Sequence, residues 1–115
     1  MTNPIPLDVL ETEFDDQKEA WVLQDVMSKQ YVIVPDDRYP GRRPVRFFLR
    51  REDADALLRE IRKQNKKLAK RKIEAMKVKL LPSLRAIAAD TTPGQADTFV
   101  VHSPNEVFEF ARDRR

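Results

Sequence analysis

The chain has 115 residues, 41 % of them hydrophobic and 36 % charged, with 22 Lys plus Arg against 19 Asp plus Glu and a formal net charge of +3. That length suits one domain with a small core; the absence of cysteine excludes disulfides, thiol chemistry and cysteine-built zinc sites. No apolar run approaches the ~18 residues of a membrane span, and the opening MTNPIPLDVLETEFDD has neither the basic start nor the apolar stretch of a secretory signal, so a cytoplasmic protein is expected.

Residues 1–18 hold two prolines and many acids, which predicts a flexible acidic N-terminal segment with at most a short amphipathic turn around Leu7 to Phe14. Residues 20–26 (AWVLQDV) and 31–34 (YVIV) are rich in aromatic and β-branched types and read as two strands. The connection between them is too short for a crossover, so an antiparallel hairpin is expected. Residues 35–44 (PDDRYPGRRP) form a Pro-stiffened loop, and 45–49 (VRFFL) a third strand with Val45, Phe47 and Leu49 on one face and Arg46 and Phe48 on the other.

From Arg51 the period changes. Ala54, Leu57, Leu58 and Ile61 make one apolar stripe, so a helix is expected, running to about Lys70 or stopping at Gln64–Asn65. Residues 75–81 alternate and read as a strand, with Lys77 and Lys79 facing away from Met76, Val78 and Leu80; Pro82 closes it, and residues 83–89 form a short helix with Ser83 as N-cap. After a loop, residues 98–101 (TFVV) make a strand, and Ser103-Pro104-Asn105-Glu106 fits a capping box that would start a helix burying Val107, Phe110 and Ala111. The order is β-β-β-α-β-α-β-α. It predicts an α+β fold over residues 19–112 and a frayed tail at 113–115. The sheet would be mixed and mostly antiparallel, of about five strands, with helices packed on one face.

Signatures of catalysis are missing from this pattern. His102 is the one histidine, so H-x-x-x-H spacing cannot be written, and no G-x-S-x-G elbow accompanies it. Asp36 and Asp37 are adjacent and would diverge in a strand. Gly41 and Gly94 are the only glycines, too few for a dinucleotide or phosphate loop. No enzyme activity, cofactor or metal site is expected.

Binding surfaces are the alternative. The loop carries Arg38, Tyr39, Arg42 and Arg43, residue types favoured at binding hot spots. A sheet face left open would present Arg46, Phe48, Lys77 and Lys79, with Phe48 placed to stack a nucleobase. Charge is also segregated: residues 1–25 hold seven acids and one base, whereas residues 57–81 hold ten bases and two acids. The basic block is either a solvated face partly neutralised by the acidic N-terminal segment or a surface for an anionic partner. The expected function is a protein-interaction or assembly module whose partner is another protein or a second copy. The alternative is a nucleic-acid-binding module built on residues 59–79, using Arg62, Lys63, Lys66, Lys67 and Lys70.

Three stretches, VRFFLRREDADALLREI (45–61), VKLLPSLRAI (78–87) and DTFVVHSPNEVFEFA (97–111), resemble the twenty-two-kilodalton component of the chloroplast Tic protein-import machinery and its cyanobacterial relatives. The matched positions are packing positions spread over residues 20–111. Members of that family usually carry two such units and a targeting sequence; one unit and no targeting sequence are read here. The resemblance implies a non-catalytic, protein-binding α+β unit of chaperone-like character, with no active-site residues to carry over.

Overall fold

The computed structural model describes residues 7–34, 37, 40–89, 95–102 and 107–111. Its elements are α1 (Leu7–Glu13), β1 (Glu19–Asp25), β2 (Pro44–Phe48), α2 (Arg51–Gln64), α3 (Lys66–Ala69), β3 (Ile73–Lys79), α4 (Leu80–Ala89), β4 (Thr98–His102) and β5 (Val107–Ala111). The fold is α+β with one mixed sheet in the order β3-β1-β2-β4-β5. β2 and β4 run parallel and the other neighbours antiparallel.

Helices cover both faces of this sheet, not one as expected. β1 and β2 are apolar on each side, so each side needs a cover. Ala20, Val22, Val45, Phe47, Phe99 and Val101 pack against Leu10 of α1 and Leu80, Leu81, Leu84 and Ile87 of α4. Leu23, Phe48 and Ile73 pack against Ala54, Leu58 and Ile61 of α2, with Trp21, Leu57 and Leu68 at the margin. The α2 stripe is the one its spacing predicts. Within the acidic segment, Leu7–Glu13 is helical and Leu10 is fully buried, so this stretch belongs to the core instead of lying free of it.

The five strands are not the five expected. Tyr31 makes one isolated bridge, to Gln24, and residues 31–34 build no ladder, because β2 already pairs with β1 at Trp21 and Val22. Two hairpin bonds do form, Asp25 N–H to the Gln30 carbonyl (2.9 Å) and Val32 N–H to the Leu23 carbonyl (3.0 Å). The stretch still alternates like a strand: Tyr31 and Ile33 pack on the α4 side, Val32 and Val34 on the α2 side.

The other newcomer is β5. Residues 107–111, expected as a helix, pair antiparallel with β4 from His102↔Val107 to Thr98↔Ala111. VFEFA is rich in strand formers. The four residues between β4 and β5 suit a hairpin connection, and pairing satisfies the β4 edge that β2 leaves open. The expected capping box at 103–106 lies outside the described residues.

Helix boundaries also moved. α4 begins at Leu80, three residues before the expected cap. Pro82 is tolerated in the first turn, where a backbone N–H has no intrahelical partner to lose. Ser83 is no N-cap; its Oγ donates back to the Lys79 carbonyl at 2.7 Å. At the N-terminus of α2, Glu52 and Asp53 complement the helix dipole, as Arg62 and Lys63 do at the other end. A backbone hydrogen bond at Glu52 is the main cause holding its carboxyl below the ordinary value.

The long helix breaks at Asn65, which is extended (φ −131°, ψ 101°) and caps α3 by accepting from Leu68 N–H at 3.1 Å. Asn65→Ala is expected to cost at most about 1 kcal/mol and to speed amide exchange at Leu68. Unchanged exchange there would show that this cap does not fix the elbow between α2 and α3.

Candidate binding surface

The second half of α2, the Asn65 elbow, α3 and the turn into β3 form a basic flank. Arg59, Arg62, Lys63, Lys66, Lys67, Lys70 and Lys72 are all exposed there. Helical periodicity turns Arg59 and Lys63 away from the buried stripe of Ala54, Leu58 and Ile61 and sets Arg62 at its margin. The Arg62 guanidinium is partly tied down, donating to the Ile73 carbonyl at 3.3 Å. β3 adds Lys77 and Lys79: its alternation turns both toward the α2 face, where Lys77 lies opposite Trp21 in register. Lys77 approaches Glu19 at 3.6 Å and Lys79 reaches the Gln17 side-chain oxygen at 3.3 Å.

The acidic stretch of residues 1–25 neutralises this flank only in part. Glu11 and Asp16 instead hold Arg85 of α4, at 2.9 and 3.1 Å, on the opposite side of the sheet. The hydrogen bond to Glu11, with a second to Asp16, raises the Arg85 guanidinium above its ordinary value. Among the described residues, Glu19 and Asp25 are the acids of residues 1–25 that meet the basic segment, Asp25 at 4.0 Å from Arg71.

Several expected contact residues turn out to be structural. Phe48 is 6 % exposed, buried under α2. It stacks on the His102 ring, with centroids 4.8 Å apart and planes 11° from parallel. No nucleobase can reach it, because β2 is covered on the side expected to be open. Arg46 donates to His102 Nε2 at 2.9 Å; a guanidinium has no acceptor, so this imidazole nitrogen carries no proton in the contact. Arg43 donates through Nε to the Gln95 carbonyl at 2.6 Å and through its amide to Asp97 at 2.8 Å, which makes it a clamp on the start of β4. Arg42 is half-buried and partnered. Arg38 and Tyr39 lie outside the described residues.

Of the residues expected at the sheet face, Lys77 and Lys79 are therefore the exposed ones. The structure joins them to the set expected for nucleic acid. Arg59 and Lys72 complete the flank; the Lys70-Arg71-Lys72 run was a usable signal for the second, whereas Arg59 needed the orientation of α2.

No protein-family model and no curated protein matches this sequence. His102 converges with an arginine and an aromatic ring, and among the described residues no three His, Asp or Glu side chains group as metal ligands do. Among the same residues, no helix is long and apolar enough to cross a membrane.

Proposed function

We propose that this chain is a non-catalytic protein-interaction module of the cytoplasm that offers its basic flank, from α2 through β3, to an acidic surface on another protein. One observation carries the reading: of the acids that could have covered the flank, Glu11 and Asp16 are committed to Arg85, and among the described residues Glu19 and Asp25 meet one base each, Lys77 and Arg71. Exposed like charges repel one another, and an anionic partner relieves that repulsion on binding. The resemblance to a unit of the Tic import component supports the same class of activity.

Nucleic acid is the second reading, favoured by the same lysines. It is weaker because stacking platforms are occupied: Phe48 lies under α2, and the Trp21 ring has the Arg51 guanidinium over its face at 5.1 Å. The triple variant Lys66→Glu/Lys67→Glu/Lys70→Glu distinguishes the two. Proteins captured from native lysate by the wild type should survive nuclease treatment and be lost by the variant. Loss on nuclease treatment would favour nucleic acid; equal capture by the variant would remove the flank from recognition.

A further inference from the structure

β3 is an edge strand, and its hydrogen-bond parity is fixed by the bonds flanking the ladder. Val26 N–H donates to the Lys72 carbonyl and Leu80 N–H to the Lys18 carbonyl, both at 2.9 Å. Bonded pairs alternate in an antiparallel ladder, so the even-numbered residues of β3 bond to β1 and the odd-numbered ones turn their backbone groups outward. Two outward carbonyls are already used, Ile73 by Arg62 and Lys79 by Ser83. Between them, the N–H and C=O groups of Ala75 and Lys77 have no partner among the described residues. This is a short docking edge closed at both ends.

Side chains restrict what can dock. Lys77 and Lys79 stand on the α2 side; Met76 and Val78 stand on the α4 side, Met76 38 % exposed. A strand laid here meets Lys77 and Lys79 on one face, and Met76 and Val78, with the exposed Glu74 beyond them, on the other. A second copy of β3 is a poor occupant. Residues 57–81 hold ten bases and two acids, and edge lysines are a common guard against self-pairing. The same lysines attract a strand of opposite sign.

We propose that an extended segment of another protein, with acidic and apolar residues alternating, adds to the outer edge of β3 as a sixth strand. Its acids lie opposite Lys77 and Lys79 and its apolar residues beside Met76 and Val78. This deepens the reading of the basic flank as a protein-binding surface and rests on it.

The probe is a short fluorescein-labelled peptide of alternating glutamate and valine, followed by anisotropy and by amide exchange on the whole chain. Saturable binding is expected, with exchange slowed at Ala75 and Lys77 and unchanged at Met76, whose amide is already in the β1 ladder. Lys77→Glu/Lys79→Glu should weaken binding about tenfold. Ala75→Pro should abolish it while leaving the fold intact, since proline at an outward edge position removes no internal bond. Binding without protection at Ala75 and Lys77 would overturn strand addition and leave the basic flank as the site. Equal binding of a lysine–valine peptide would do the same to the charge argument. Binding of a single-stranded oligonucleotide with none of either peptide would overturn both this inference and the protein-binding reading.

Discussion

Phe99→Ala is expected to destabilise the protein by about 3–5 kcal/mol, measured as a lower urea midpoint at unchanged slope. Phe99 is fully buried in β4, between Val45 of β2 and Phe110 of β5 in register. It belongs to the cluster that joins β1, β2 and β4 to α1 and α4. Truncation removes apolar contacts from α4 and from the sheet together, and a β-ladder fixed on both sides cannot collapse into the cavity. A domain of this size has about 5–15 kcal/mol in total, so the variant should be near its unfolding threshold at 37 °C. A loss under about 1 kcal/mol would place Phe99 at the margin of the core.

The next largest effect is expected at Asp97, where one carboxylate fixes the start of two parallel strands. Asp97 Oδ1 accepts from the Arg43 amide at 2.8 Å and from the Thr98 hydroxyl at 3.1 Å, and Oδ2 lies 3.6 Å from the Arg43 guanidinium. The Asp97 amide in turn donates to the Arg43 carbonyl at 3.2 Å. Parallel neighbours such as β2 and β4 have no hairpin between them to set register, and this exchange supplies the alignment. Asp97→Ala leaves a backbone donor and the buried Thr98 hydroxyl without their acceptor, at a cost of about 2–3 kcal/mol. Asp97→Asn keeps an acceptor for both and should recover about half of that. If the two variants are equally unstable in chemical denaturation, the negative charge beside Arg43, not the pair of hydrogen bonds, holds the register.

The basic flank was legible at two levels. The count of bases in residues 57–81 and the apolar stripe of α2 together indicate a charged surface around Arg62, Lys63, Lys66, Lys67 and Lys70. What they leave open is whether that surface is covered. Acids and bases far apart in the chain pair according to where their elements pack, and α1 packs on α4, so Glu11 and Asp16 reach Arg85. The expected exposure of Phe48, on the same face of β2 as Arg46, failed for a related reason. Alternation places both on one face of β2, but only the path of α2 settles whether that face meets solvent.

Local periodicity sufficed for β2, the start of α2 and β4, and it left the break at Asn65 as one of two alternatives. Side-chain spacing and cap chemistry act within a few residues, and no competing partner contested them. Strand membership was contested at two places. Residues 31–34 have strand composition, yet β2 took the β1 positions, Trp21 and Val22, that would have extended their pairing. Residues 107–111 follow a helix-start signal, yet the open edge of β4 claimed them as β5. A strand is stabilised by hydrogen bonds to a neighbour that is remote in sequence. Its existence therefore depends on which edge remains free, and that is settled only when the whole sheet assembles.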